Sequence, residues 1–363
     1  MADTVESTTE RLTRPSMEHV DLVTHLYNRR ALWGKETVLY RRNHPMEWER
    51  VTGNYQNWLV DTAEMVTSDY DSAGGEPLRL FYSDDVDVYV SRRRETMPYF
   101  SRNCDADECH IVSVGEMTYE TDFGNIEVGP RDLIIIPKGV TYRTTLERPQ
   151  DTLRLIFESR PEIFLVPTDM VDHVYHKGRP PVDPTKVKQP VLPDVPGEPG
   201  TYEVRIKYTG AFSDVLGERS TIFYDFHPLD VQIIEGDIAV YKFSVSDIEK
   251  LGSTPVPFLG AAYLDNSRNL AWTFALSGGG GHGAPVHRDP DVDEFRYLSS
   301  GPHTGSILFT PQGVDHGAGR GYTRRERNRP EDPYDTGDTL SAYTFRPIKG
   351  TAEAQKHARA IMC

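Results

Sequence analysis

Short runs of alternating apolar and polar residues make up most of the chain from residue 37 onward. Residues 78–82 and 86–90 are typical, because both are rich in β-branched and aromatic side chains and a polar turn separates them. The same alternation predicts further strands at residues 110–114, 117–123, 126–128, 132–137, 202–208, 221–226, 270–276 and 339–345. Helical spacing occurs only near the two ends, at residues 17–27 and 352–361. The pattern therefore predicts an all-β protein with a few short helices at its termini.

One arrangement of strands and turns occurs twice, at residues 97–143 and again at residues 281–316, which indicates a duplicated domain. Between the copies lies a proline-rich segment that cannot form a central strand or a long helix. Apolar anchors at residues 163–166 favour an ordered strap, and a free linker is the alternative. The predicted division is an N-terminal barrel (1–160), a strap (161–200), a C-terminal barrel (201–350) and a terminal helix (351–363).

The second copy contains the residues of a metal site. His287, Glu294 and His316 lie in or beside short predicted strands, with glycine and proline at the turns between them. Two imidazoles and one carboxylate on neighbouring strands can occupy one face of an octahedral metal. That set suits non-haem Fe(II), because it leaves positions open for substrate and O₂.

These spacings resemble the two signatures of the cupins, and the His-Arg pair at 287–288 with the Glu-Phe pair at 294–295 resembles the homogentisate 1,2-dioxygenase family. The first signature departs from the usual His-X-His form, because Asp289 stands in place of the second histidine. The resemblance implies two cupin-type jelly-roll barrels, a bicupin. It also implies one Fe(II) per chain on His287, Glu294 and His316, with O₂ as co-substrate.

The N-terminal copy departs further from the cupin signatures. Tyr142 occupies the position of a metal-binding histidine, and phenol is a poor replacement for imidazole at a divalent site. His110 lacks its partner in the pattern and is interpreted as a structural residue. We therefore expect the N-terminal barrel to be metal-free and to serve packing or assembly.

The resemblance implies oxidative cleavage of a homogentisate-like ring or of another modified hydroquinone or catechol. A family histidine is replaced by Thr310, and a tyrosine that contacts substrate in the family is replaced by His303. His303 is the first candidate for general base or substrate anchor, and His282 is the second. The candidates for substrate contact are Arg288, Arg296, Tyr297 and Thr310.

Composition limits the partners. With 40 basic and 55 acidic residues the net charge is −15, which argues against binding to a nucleic-acid backbone. No apolar run approaches bilayer length, the N-terminal segment lacks the apolar core of a signal peptide, and the three cysteines form no disulfide framework. These features predict a cytoplasmic protein that binds a small aromatic substrate and no membrane. Double-barrel cupins commonly self-associate, so a dimer or larger homo-oligomer is expected.

Two other classes of function remain open at this point. A bicupin isomerase, or another metal-dependent cupin enzyme that uses no O₂, would need the same three ligands. A metal-free bicupin that binds or stores a small molecule would need none of them. The sequence also leaves open whether the metal is iron or manganese.

Overall fold

The computed structural model describes residues 22–30, 33–165, 182–193, 198–212, 218–248, 261–266, 271–277, 286–317 and 338–361. Nearly all regular structure in these ranges is β. The first strands are β1 (Val23–Arg30), β2 (Trp33–Arg41), β3 (Asn57–Asp61), β4 (Leu78–Tyr82), β5 (Val86–Ser91), β6 (Phe100–Asn103), β7 (Asp107–Val114), β8 (Met117–Thr121), β9 (Gly124–Val128), β10 (Asp132–Ile136), β11 (Thr141–Thr145) and β12 (Leu153–Ser159). The later strands are β13 (Phe164–Leu165), β14 (Tyr202–Lys207), β15 (Arg219–Tyr224), β16 (Tyr241–Ser244), β17 (Ala261–Asp265), β18 (Ala271–Ser277), β19 (Val286–Arg288), β20 (Asp293–Leu298), β21 (Ser306–Thr310), β22 (Asp338–Thr344), β23 (Lys349–Gly350) and β24 (Ala358–Ile361). The helices are α1 (Ser68–Asp71) and α2 (Ala352–His357).

The described strands form sheets that pack face to face as in a jelly roll, and none of these sheets closes into a barrel. A six-stranded sheet (β15-β14-β6-β11-β8-β9) and a seven-stranded sheet (β16-β10-β7-β12-β5-β4-β23) make the first sandwich. An eight-stranded sheet (β13-β17-β18-β22-β20-β21-β3-β24) and a three-stranded sheet (β19-β1-β2) make the second. The predicted all-β class is confirmed.

The seven-stranded sheet is buried on both faces. Along β10, Ile134 and Ile136 join the core of the first sandwich, whereas Leu133 and Ile135 join the core shared with the eight-stranded sheet. This alternation is the two-residue period of a strand, with apolar side chains at both phases. In the shared core the Phe81 ring lies 5.0 Å from that of Phe295, measured between ring centroids. The two sandwiches are therefore joined by a continuous apolar layer.

Each sandwich takes strands from both halves of the chain, so the predicted limits 1–160 and 201–350 do not separate the sheets. β3 pairs with β21, and β1 pairs in parallel with β19, which carries His287. In return, β14 and β16 from the second half pair with β6 and β10. The exchange covers sheet edges that would otherwise present unpaired backbone groups.

The prediction of a helix over residues 17–27 is wrong for those of its residues that the structure describes. Residues 23–27 belong to β1, which hydrogen-bonds to β2 on one side and to β19 on the other. The loosely helical spacing of apolar residues is overridden because pairing on both sides satisfies the backbone. At the other end α2 ends at His357, and Ala358–Ile361 form β24 against β3. The terminal helix is therefore shorter than the sequence pattern suggested.

The proline-rich segment is described only in part. Lys188 and Val191 make backbone bridges to Lys242 and Asn125, and β13 pairs with β17. These contacts hold the described parts against both sandwiches, and residues 166–181 and 194–197 lie outside the described ranges. Among the described residues, no helix has the length and apolar character needed to cross a bilayer.

Candidate metal centre

Strand β20 presents Glu294 to one face of the eight-stranded sheet. Side chains alternate along a strand, so Glu294 and Arg296 share a face while Phe295 and Tyr297 point into the core shared with the first sandwich. The register places Tyr343 of β22 beside Glu294 on one side and Thr310 of β21 on the other. Glu294 is thus the centre of a row of three side chains across the sheet.

Hydrogen bonds fix the orientation of the Glu294 carboxylate. Its Oε1 accepts from Ser341 Oγ at 3.0 Å and from the Tyr343 hydroxyl at 3.2 Å. Its Oε2 has no hydrogen-bond partner among the described residues, although it lies 2.6 Å from Nε2 of His316. Glu294 Oε2 and His316 Nε2 are therefore two buried atoms that face each other without the alignment of a hydrogen bond. Ligand atoms of one metal ion face each other in this way.

His287 and His316 are held together by their own backbones. The His287 N–H donates to the His316 carbonyl at 2.8 Å, and the His316 N–H donates back at 3.0 Å. Gly313 allows the turn before His316, because its φ of +77° lies in the left-handed region. His316 Nδ1 donates to the Val314 carbonyl at 2.9 Å, so Nε2 is the ring atom that can bind a cation once it gives up its proton. The two imidazole rings lie 3.9 Å apart.

A second carboxylate, Asp289, completes the cluster. His287, Asp289, Glu294 and His316 each offer a ligand atom, and these atoms all lie within 4.8 Å of one another. The sequence pattern alone indicates the loss of a ligand at Asp289, because aspartate replaces the second histidine of the usual pattern. The signal that could have identified it is its position two residues after His287, since residues i and i+2 share a face of a strand.

The charges of the cluster shift the pKa of each member. Burial alone would raise the pKa of Glu294, but His316, with His287 and Arg296, brings it to about 2. Burial would lower the pKa of His316, but Glu294 and Asp289 outweigh it and raise that pKa to about 9. Burial raises the pKa of Asp289 to about 7, and Glu294 adds to this rise while His316 opposes it. The cluster thus holds a proton on His316 that a divalent cation would displace.

Comparisons with known proteins point to one family. Residues 60–170 match the family described as Homogentisate 1,2-dioxygenase N-terminal. A protein of Saccharolobus solfataricus with the name "Putative dioxygenase" is 26% identical over 295 residues, which cover 74% of this chain and 71% of that protein. The chain is similar to homogentisate dioxygenase-like proteins. The resemblance to this family that the two motifs indicated is confirmed.

Solved structures with similarity to this protein share little of its sequence. A single-site variant of oxalate decarboxylase from B. subtilis is 12% identical, with a TM-score of 0.41 over 82% of this chain and 80% of that chain. A cupin-2 domain protein from Shewanella frigidimarina is 21% identical, with a TM-score of 0.21 over 23% of this chain and 80% of that chain.

Two of the residues predicted to contact substrate lie next to the candidate ligands. Thr310 is buried opposite Glu294, and Arg296 is half-buried two residues along the same face. Within the described part of the chain Arg296 Nε has no hydrogen-bond partner. Tyr297 points to the other face of the sheet, where its hydroxyl lies 2.7 Å from Ser113 Oγ of the first sandwich. The structure therefore brings Arg296 and Thr310 to the centre and places Tyr297 away from it.

The other predicted residues are not brought to the centre. Arg288 points away from His287 and forms a two-bond ion pair with Asp315, which also bonds to His25. His303 is exposed in the loop that follows β20. That loop lies at the far end of the β20–β21 hairpin. Its distance from Glu294, measured along β20, is at least about 13 Å. His282 lies outside the described residues.

The corresponding place in the first sandwich is filled by protein hydrogen bonds. Glu108 Oε2 accepts from the Tyr142 hydroxyl at 2.6 Å and lies 2.8 Å from His110 Nε2. Glu108 Oε1 accepts from Asn103 at 2.9 Å, and His110 Nδ1 lies 2.7 Å from the Tyr119 hydroxyl. The groups that would face a metal thus satisfy one another. These contacts support the prediction of a metal-free N-terminal barrel.

Replacing Tyr142 by phenylalanine should leave the metal content of the protein unchanged. It should lower the free energy of unfolding by about 1–3 kcal/mol, because Glu108 loses a buried hydrogen bond to its charged form. Metal analysis and chemical denaturation of the purified variant measure the two effects. Loss of metal in this variant would show that the first sandwich contributes to metal binding.

Proposed function

We propose that this protein is an Fe(II)-dependent dioxygenase that opens the ring of a hydroxylated aromatic compound by extradiol-type cleavage. The observation that carries the proposal is the buried cluster of His287, Glu294 and His316, in which Glu294 Oε2 and His316 Nε2 face each other without a hydrogen bond. The similarity to the homogentisate dioxygenase family and to a protein named as a dioxygenase supports the reaction class.

The donor set fits iron. Two imidazoles and a carboxylate suit Fe(II), which in such sites keeps positions for substrate and O₂ and supplies the electron transfer between them. Tyr343 and Ser341 hold the Glu294 carboxylate in place, and the Val314 carbonyl fixes the tautomer of His316. Such outer contacts prevent the ligands from reorienting during turnover.

Arg296 is the residue we propose to bind an anionic group of the substrate. Its side chain shares a face with Glu294, and its Nε has no hydrogen-bond partner in the described ranges. A carboxylate or phenolate bound by the guanidinium would lie near the metal and would be oriented by paired donors. Thr310, opposite Glu294, offers a hydroxyl of smaller size at the same place. A homogentisate-like acid or a modified hydroquinone or catechol meets these requirements.

The test combines metal analysis with oxygen uptake. Protein purified without oxygen should hold close to one iron per chain, and it should consume O₂ when supplied with a member of a hydroquinone and catechol panel. The role of Arg296 is tested with an Arg296→Lys variant, which keeps the positive charge but loses the planar pair of hydrogen-bond donors. Its KM for acidic substrates should rise more than its KM for neutral ones. Metal without oxygen uptake would favour an isomerase, and no metal would favour a binding protein.

Self-association into a dimer or larger assembly and a cytoplasmic location stay predictions. Binding of a small aromatic substrate is part of the proposed dioxygenase function. Size-exclusion chromatography with light scattering would measure the assembly.

A further inference from the structure

Asp289 is a buried carboxylate whose oxygens are used by no neighbour that the structure describes. It is 2% exposed, and neither Oδ1 nor Oδ2 has a hydrogen-bond partner within the described ranges. Asp293, four residues away and also buried, shows the contrast, because its oxygens accept from the Gln312 and Ile348 backbone N–H groups, each at 2.9 Å. A buried ionised carboxylate without partners is costly unless a cation neutralises it. Asp289 therefore needs a cation that contacts its oxygens directly, and no described side chain donates a hydrogen bond to them.

The protein's own cations do not meet this need. Arg288, the adjacent residue, alternates to the other side of the strand and is bound by both oxygens of Asp315. His287 Nε2 lies 3.8 Å from Asp289 Oδ2, too far for a hydrogen bond. His316 Nε2 lies 2.6 Å from Glu294 Oε2, so its charge is paired with that carboxylate. His287, His316 and Glu294 instead lie with Asp289 in one cluster of four ligand atoms.

The position of Asp289 is fixed by its backbone. Its carbonyl accepts from the Gly313 N–H at 3.0 Å, which ties the start of the β19–β20 turn to the loop that carries His316. The four ligand atoms lie within 4.8 Å of one another. Atoms bound to one ion at about 2.1 Å lie no more than about 4.2 Å apart, so a small side-chain contraction would bring all four into one coordination sphere.

We propose that Asp289 is a fourth protein ligand of the metal, so that the centre has two imidazoles and two carboxylates. This inference rests on the proposed function, because it requires that a metal binds at His287, Glu294 and His316. Two carboxylates balance the charge of a divalent ion, which a single carboxylate does not.

A fourth protein ligand also limits how many positions of the metal the substrate can occupy. Four protein atoms leave two of the six positions of an octahedral ion, whereas three leave three. A ring that binds through one oxygen leaves a position for O₂, and a ring that chelates through two oxygens does not. The proposed substrate class is therefore a phenol or hydroquinone that binds through a single ring oxygen. A catechol that binds through both oxygens is disfavoured.

The experiment uses the full chain with Asp289→Asn and Asp289→Ala. Asp291→Asn is the matched control, because Asp291 lies in the same turn but is ion-paired on the surface with Arg29. After removal of metal with a chelator, thermal unfolding is recorded, and Mn²⁺ is then titrated with detection by electron paramagnetic resonance. Mn²⁺ serves as the probe because it needs no protection from oxygen.

The two readouts should move in opposite directions. Without metal, Asp289→Asn should raise Tm by roughly 2–4 °C, because an uncompensated buried charge is removed. With metal, both variants should bind Mn²⁺ at least about 100-fold more weakly than wild type, a loss beyond that of residues that only orient ligands. Asp291→Asn should change neither quantity.

Other outcomes would overturn the proposal in distinguishable ways. A lower Tm of metal-free Asp289→Asn would show that the carboxylate is structural. Wild-type Mn²⁺ affinity in both variants with loss of turnover would assign Asp289 to substrate proton transfer and reject it as a ligand. If the wild-type protein itself bound neither Mn²⁺ nor Fe²⁺, the proposed function would fail together with this inference.

Discussion

Replacing His316 by alanine or Glu294 by glutamine should abolish iron retention and oxygen uptake, while the β-sheet circular dichroism spectrum stays the same. Each change removes a ligand atom from a buried cluster, and a metal ion that loses one of few protein ligands is held far more weakly. We expect a loss of metal affinity of more than about 100-fold, since residues that merely orient ligands already cost 10–100-fold. Iron per chain after dialysis, measured by elemental analysis, checks the prediction.

A graded control separates loss of a ligand from a general disturbance of the site. Tyr343→Phe removes only the hydroxyl that donates to Glu294 Oε1, and Ser341 still donates to the same oxygen. This variant should therefore weaken metal binding by about 10-fold, the lower end of the range for such contacts. If wild-type iron content survives the His316 change, the ligand assignment is wrong.

Replacing Lys207 by methionine should lower the free energy of unfolding by about 3–5 kcal/mol, because one partner of a buried ion pair is removed. Lys207 lies on β14 of the six-stranded sheet and reaches across to Glu158 on β12 of the seven-stranded sheet. It also donates to the Tyr89 hydroxyl at 3.0 Å and lies 4.0 Å from Asp87. Without its ammonium group, the buried Glu158 carboxylate has lost its nearest cation. Chemical denaturation at pH 7 measures the effect.

The double variant Lys207→Met with Glu158→Leu is the matched control. It removes both charges and fills the space with apolar groups, so it should regain most of the lost stability. Comparable instability of the double variant would show that Lys207 acts through packing of its chain and not through its charge.

The Lys207→Met variant should also depend on pH in a defined direction. Burial raises the pKa of Glu158 to about 7 even with Lys207 present. A folded-state pKa above the unfolded value of about 4.3 means that the folded protein binds more protons between those values. Stability of the variant should therefore increase as pH falls from 7 toward 5, as Glu158 becomes neutral. Denaturation midpoints across this range, compared with the double variant, provide the measurement.

The sequence alone determined the local features of this protein. Strands such as β4, β5 and β10 could be predicted because alternating side chains and turn residues act over a few positions. The cluster of His287, Glu294 and His316 was found for the same reason. Glu294 lies on the β20–β21 hairpin, while His287 lies on the short strand just before it and His316 just after it, so all three come from one short stretch of the chain.

Only the tertiary structure decided which distant segments meet. The strand at residues 23–30 lies beside the ligand strand β19, although its sequence suggested a helix and its place in the chain suggested the other sandwich. Lys207 meets Glu158 through the packing of two sheets, and Tyr343 meets Glu294 through strand register. Asp289 became a candidate ligand only when its burial and unpaired oxygens were visible. Burial and pairing depend on the whole fold, because they are set by residues far apart in the chain.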